Sequence, residues 1–137
     1  MRAKTLFFPV VCLLLATACA ASSPAGPSAG LNEVFTLAPD QTASIEGTSL
    51  RLRFTGVSGD SRCPADAICI QGGDAIVHIH VGSGLADAEY RLHTGDDSRR
   101  TTQHGDFRIE LVELAPYPFS SRTIQPDEYR ATLRVVR

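Results

Sequence analysis

The chain has 137 residues, a formal net charge of −2, no tryptophan and 43% hydrophobic residues. That length suits one domain with a single core. Thirteen basic residues nearly balance 15 acidic ones, and no basic stretch interleaves with aromatics, which excludes the electrostatic footprint of a nucleic-acid binder.

Arg2 and Lys4 precede an apolar run over residues 6–16, and small residues follow over 16–21. This is the charged, apolar, small-residue order of a secretory signal, with a run too short for a stable membrane span. Leu15-Ala16-Thr17-Ala18-Cys19 resembles a bacterial lipobox, with Ala16 where a leucine is more usual. The expected organisation is a lipoprotein-type signal peptide over 1–18, a lipidation site at Cys19 with a flexible linker to residue 30, and a folded domain over 31–137. Ordinary cleavage after Ala18 or Ala20 is the alternative, and it would leave a soluble periplasmic or secreted protein. Cys12 reads as one apolar residue of the leader. Residues 20–30 are small, uncharged and rich in Pro, Gly and Ser, which makes them a tether. Without Arg2 and Lys4, 11 basic residues remain, all arginine, against the same 15 acidic ones.

Residues 33–37 read as a short strand before a Pro39-Asp40 turn, and 42–46 as a second, ended by Gly47-Thr48. Over 50–57, Leu50, Leu52 and Phe54 alternate with Arg51, Arg53 and Thr55. Residues 60–74 interrupt the pattern with Cys63 and Cys69. A strand over 74–81 then alternates Ala75, Val77, Ile79 and Val81 with Ile76, His78 and His80. Gly82-Ser83-Gly84 turns it back into a strand over 88–94. Residues 95–106 are polar and read as a loop. The next strand covers 107–114, Pro116-Tyr117-Pro118 breaks it, and the last covers 129–136 with Tyr129, Ala131, Leu133 and Val135 on one face. A cis bond at Tyr117-Pro118 is compatible with this break. About seven short strands and no helical period predict an all-β, single-domain antiparallel β-sandwich or small barrel.

Export would place Cys63 and Cys69 in an oxidising compartment, so a disulfide between them is expected. Closing so short a loop stabilises by about 2 kcal/mol through chain entropy. Their Cys-x5-Cys spacing, with no nearby histidine, argues against a redox or metal pair.

Asp60-Ser61-Arg62-Cys63-Pro64, then Cys69 and Gly73, then Pro116-Tyr117-Pro118 and Tyr129 in a closing strand, resembles a family of small exported bacterial proteins and lipoproteins. The resemblance covers most of residues 33–137. That family typically carries Trp-Ala-Gly after the second cysteine, and this chain has Gln71-Gly72-Gly73 instead. The resemblance implies an exported, disulfide-bonded β domain and implies no reaction.

Two constellations could carry chemistry. Asp60, Asp66 and Asp74 lie close to Arg62, either as an arginine held ready for an anion or as an ion pair that fixes the loop. Asp60, Arg62 and Asp74 are the loop-binding candidates. His78 and His80 share one strand face, and the returning strand can bring His93 opposite or diagonal to them. Three imidazoles there would suit Zn²⁺ or Cu²⁺, whereas the simpler reading makes them surface residues. His104 reads as a loop residue. No Gly-x-Ser-x-Gly elbow, His-Glu-x-x-His helix or phosphate loop is present in the sequence.

The favoured reading is a non-catalytic cell-envelope lipoprotein domain without a cofactor. It would be held to a membrane by its lipid and would bind a protein or envelope polymer through the disulfide-held loop. The first alternative is a Zn- or Cu-binding protein using His78, His80 and His93. A further one is a secreted peptidase inhibitor presenting residues 60–74 or 95–106 as a wedge.

Overall fold

The computed structural model describes residues 26–84 and 86–137. The expected signal peptide and Cys19 lie outside the described residues. In chain order the strands are β1 (Ser28–Ala29), β2 (Val34–Leu37), β3 (Thr42–Ile45), β4 (Arg51–Ser58), β5 (Ile76–Gly82), β6 (Asp87–His93), β7 (Thr101–His104), β8 (Phe107–Ala115) and β9 (Arg130–Val136). One sheet has the order β1-β3-β4-β5-β6 and the other β2-β9-β8-β7. All pairings are antiparallel except β1 with β3. The expected all-β sandwich is what the chain forms. Among the described residues no helix is long and apolar enough to cross a membrane.

The period-2 pattern has its usual cause. Alternate side chains of a strand point to opposite faces, so Leu52 and Phe54 of β4, Val77, Ile79 and Val81 of β5, and Ala131, Leu133 and Val135 of β9 all face inward and are fully buried. Burying each large apolar side chain contributes about 1.5–3 kcal/mol, so this shared interior holds the two sheets together. In β8 the alternation slips. A bulge between Leu111 and Glu113 leaves Val112 exposed and returns Leu114 to the core. A second bulge, in β4, falls at Gly56, whose φ of 144° suits a residue without a Cβ.

Two expectations need correction. Residues 19–30 were expected to be linker throughout, yet Ser28 and Ala29 pair with Ser44 and Ile45, and Ala29 is buried. A two-residue strand is invisible to periodicity, because its only warrant is the neighbouring β3. Residues 95–106 were expected to be a loop, yet they contain a 3-10 turn (Asp97–Arg99) and β7. β7 is a polar edge strand joined to β8 by a tight turn at Gly105, and His104 on its inward side is buried. The cis bond of the 115–118 segment is Ala115-Pro116 rather than Tyr117-Pro118.

Candidate functional site

The cysteine loop leaves β4 after Ser58 and returns at β5, at one end of the sandwich. Its neck is closed by backbone pairing, with Ser61 N donating to the Asp74 carbonyl at 2.7 Å and Asp74 N donating to Ser61 Oγ at 3.1 Å. Gly73 is required here, since a Cβ at that position would lie 1.5 Å from the Ser61 carbonyl oxygen. The expected Cys63–Cys69 disulfide is present, with a Cα–Cα distance of 6.0 Å.

Arg62 is the buried cation under the loop. Its Nε and Nη2 donate to the two oxygens of Asp60 at 2.9 and 2.7 Å. Nη1 donates to the Leu114 carbonyl at 2.6 Å and Nη2 also to the Pro116 carbonyl at 3.0 Å. Tyr129 Oη donates to Asp60 Oδ2 at 2.9 Å, and the Tyr117 ring lies 5.7 Å from the guanidinium carbon. Four N–H···O bonds hold the fork, so the group acts as a clamp between the loop, the end of β8 and, through Asp60 and Tyr129, the start of β9. Burial opposes ionisation of Asp60, but the Arg62 and Tyr129 hydrogen bonds outweigh it and hold the carboxyl below its ordinary 3.8. Burial and the same contact push the Tyr129 hydroxyl up to about 12.

The three aspartates near Arg62 in sequence part company in space. Only Asp60 binds the guanidinium. Asp66 accepts from Ser120 N at 2.8 Å and Ser120 Oγ at 2.5 Å, and Ala65 N donates to the Pro118 carbonyl at 2.9 Å. These contacts dock the loop along residues 117–120. Asp74 faces the other way, with Oδ2 2.6 Å from His93 Nδ1 and Oδ1 accepting from Gly95 N at 2.8 Å. Burial opposes ionisation of Asp74, and those two contacts prevail, so its carboxyl is also held below the ordinary value.

The histidines lie on the expected face, but they do not converge. In the register His78 faces Arg91, His80 faces Glu89 and Ile76 faces His93, which makes His93 diagonal to His78. His78 Nε2 lies 2.7 Å from Ser58 Oγ, whereas buried His93 is held by Asp74. Among the described residues no group of three or more His, Cys, Asp or Glu side chains is placed to hold a metal ion. His104 is buried, 3.1 Å from Tyr90 Oη through Nδ1, rather than a free loop residue.

Sequence reasoning passed over the outward side of the loop. Ile68 and Ile70 flank Cys69 and are fully exposed, at 103% and 105% of the reference area. Tyr117 and Phe119, on either side of the docked Pro118, are more than half exposed. Beside them runs a groove of about 290 Å³ lined by Arg62, Cys63, Gly73, Arg100, Val112 and Tyr117. The signal was present in Ala67-Ile68-Cys69-Ile70-Gln71, where two β-branched apolar residues interrupt a polar loop. The domain is thus an all-β sandwich bearing one clamped, disulfide-closed loop with an apolar tip. No family model, curated protein or solved structure matches the chain.

Proposed function

We propose that this chain is a non-catalytic cell-envelope lipoprotein domain, held to a membrane through Cys19, whose binding element is the Cys63–Cys69 loop. The observation that supports this reading is the pairing of a pinned base with an exposed apolar tip. Arg62, the disulfide and the Asp66–Ser120 contacts fix the loop, while Ile68 and Ile70 stand in solvent. Isolated exposed apolar residues are ordinary, but several gathered at one end of a molecule mark an interaction surface. A rigid loop also loses little conformational freedom when it binds. The resemblance to small exported bacterial proteins belongs to the same reading.

The test is a photo-crosslinking residue placed at Ile70 in the full chain, expressed with its own leader, and compared with the same residue at Asp106. Asp106 sits on the β7–β8 turn, at the opposite end of the sandwich. The expected result is an adduct to an envelope component from position 70 and none from position 106. Equal labelling at both positions would remove the loop as the binding element.

A further inference from the structure

We infer that the apolar tip of the cysteine loop is seated in the lipid bilayer that carries the anchor. The inference rests on the lipoprotein reading above and adds the occupant of the loop.

The direction of β1 carries the argument. β1 runs parallel to β3, and β3 runs antiparallel to β4. β4 ends at Ser58, where the cysteine loop begins, so β1 runs away from the loop end and the chain enters β1 from that end. Gly26 lies against Thr42, which pairs with Arg53, five residues below Ser58 on β4. At about 3.3 Å per residue, the loop end stands roughly 16 Å beyond Gly26. Cys19 is seven residues before Gly26, a reach of at most about 25 Å. Fully extended toward the loop end, those seven residues would carry Cys19 roughly 9 Å past it, so a bilayer holding a lipid on Cys19 is within reach of the loop tip.

The side chains at that end suit an interface. Ile68 and Ile70 project fully, and Tyr117 and Phe119 accompany them on the segment to which the loop is docked. Apolar and aromatic side chains on a fixed element sit well at the boundary of headgroups and acyl chains. Arg62 and Asp60 turn inward and neutralise each other, while the exposed Asp66 carboxylate, two residues from Ile68 and bonded to Ser120, limits the seat to headgroup depth.

The chain has no tryptophan, so one introduced tryptophan reports its own position. Ile68→Trp and, separately, Val34→Trp are made in the full chain, purified with the leader processed and Cys19 examined by mass. Val34 is 54% exposed and pairs with Arg134, toward the end away from the loop. The proteins are reconstituted on vesicles of phosphatidylethanolamine and phosphatidylglycerol with brominated acyl chains, and flotation is recorded alongside fluorescence. The expected result is a blue-shifted, bromine-quenched emission from position 68 and an unshifted, unquenched one from position 34. Phe119→Trp should behave like Ile68→Trp, which guards against a local defect of one variant. Flotation without quenching at 68 or 119 overturns the bilayer seat and leaves the anchored reading standing. Absence of lipid on Cys19 together with absence of flotation overturns both. A blue shift that grows with protein concentration in the absence of vesicles assigns the tip to a second copy and overturns the proposal.

Discussion

The Arg62 guanidinium meets the Asp60 carboxylate edge to edge, with separate N–H groups on separate oxygens at 2.9 and 2.7 Å. Its other donors close onto the carbonyls of Leu114 and Pro116, so one side chain ties the cysteine loop to the opposite sheet. Removing one partner of a buried pair leaves the other charge without compensation, a loss of about 3 kcal/mol or more. Arg62→Gln should lower stability in urea unfolding by that order, and Arg62→Lys should fall close behind because an ammonium lacks the planar fork. A loss under 1 kcal/mol in both would mean that the clamp is incidental.

The acid side of the pH profile should carry the same pair. The folded-state value of Asp60 lies below its ordinary 3.8, so its contribution is present above that pH and is lost as the pH falls through the lowered value. Asp74 and Asp96 are depressed too, Asp96 to about 2 by Ser98 and Arg99, so acid destabilisation is shared among them. The gap in stability between the wild type and Asp60→Asn isolates the first contribution. It should be wide at neutral pH and narrow as the pH drops below 4. A gap that stays constant with pH would contradict an ionised Asp60.

Alkaline titration gives an independent reading of the clamp. Tyr129 ionises at about 12, so its neutral hydroxyl supports the fold fully below pH 10 and fails as the pH rises through that raised value. Three tyrosines are present, and ultraviolet titration should show one late phase that Tyr129→Phe abolishes. Loss of the late phase from Tyr90→Phe or Tyr117→Phe instead would place the perturbed group elsewhere.

The disulfide should matter more to the loop than to the sandwich. Cys63 and Cys69 lie outside the buried core, and Cys69 is exposed. The double change Cys63→Ser/Cys69→Ser should cost about 2 kcal/mol from loop entropy while strand content stays unchanged. Hydrogen exchange should quicken over residues 63–72 and remain slow over β4, β5 and β9. Global loss of protection would show that the loop nucleates the fold.

The histidine face can be settled by native mass spectrometry with Zn²⁺ and with Cu²⁺. The expected spectra hold no tightly bound ion, because His93 is engaged with Asp74 and His78 with Ser58. His93→Ala should cost about 1 kcal/mol by removing one hydrogen bond from the partly exposed Asp74, which keeps its bond from Gly95 N, whereas His78→Ala should change stability by less than about 0.5 kcal/mol. A stoichiometric ion lost in His78→Ala/His80→Ala would restore the metal reading.

What the sequence determined by itself is the β class, the inward faces and the cysteine pair. Alternation along residues 50–57, 75–81 and 129–135 encodes a two-faced strand directly, because side-chain direction in a strand depends only on position parity. Tertiary structure decided the rest. β1 and β7 exist only because β3 and β8 offer backbone partners, which no local pattern records. The choice among Asp60, Asp66 and Asp74 for Arg62 was open in sequence and was made by chain reversal at the loop neck, which turns Asp74 toward His93 and leaves Asp66 to Ser120. The histidines share a face, as parity requires, but their partners come from β4 and from the loop end. Ile68 and Ile70 look like core residues by composition. They stand in solvent because the disulfide and the Arg62 clamp anchor the loop by its polar side and leave the apolar tip uncovered among the described residues.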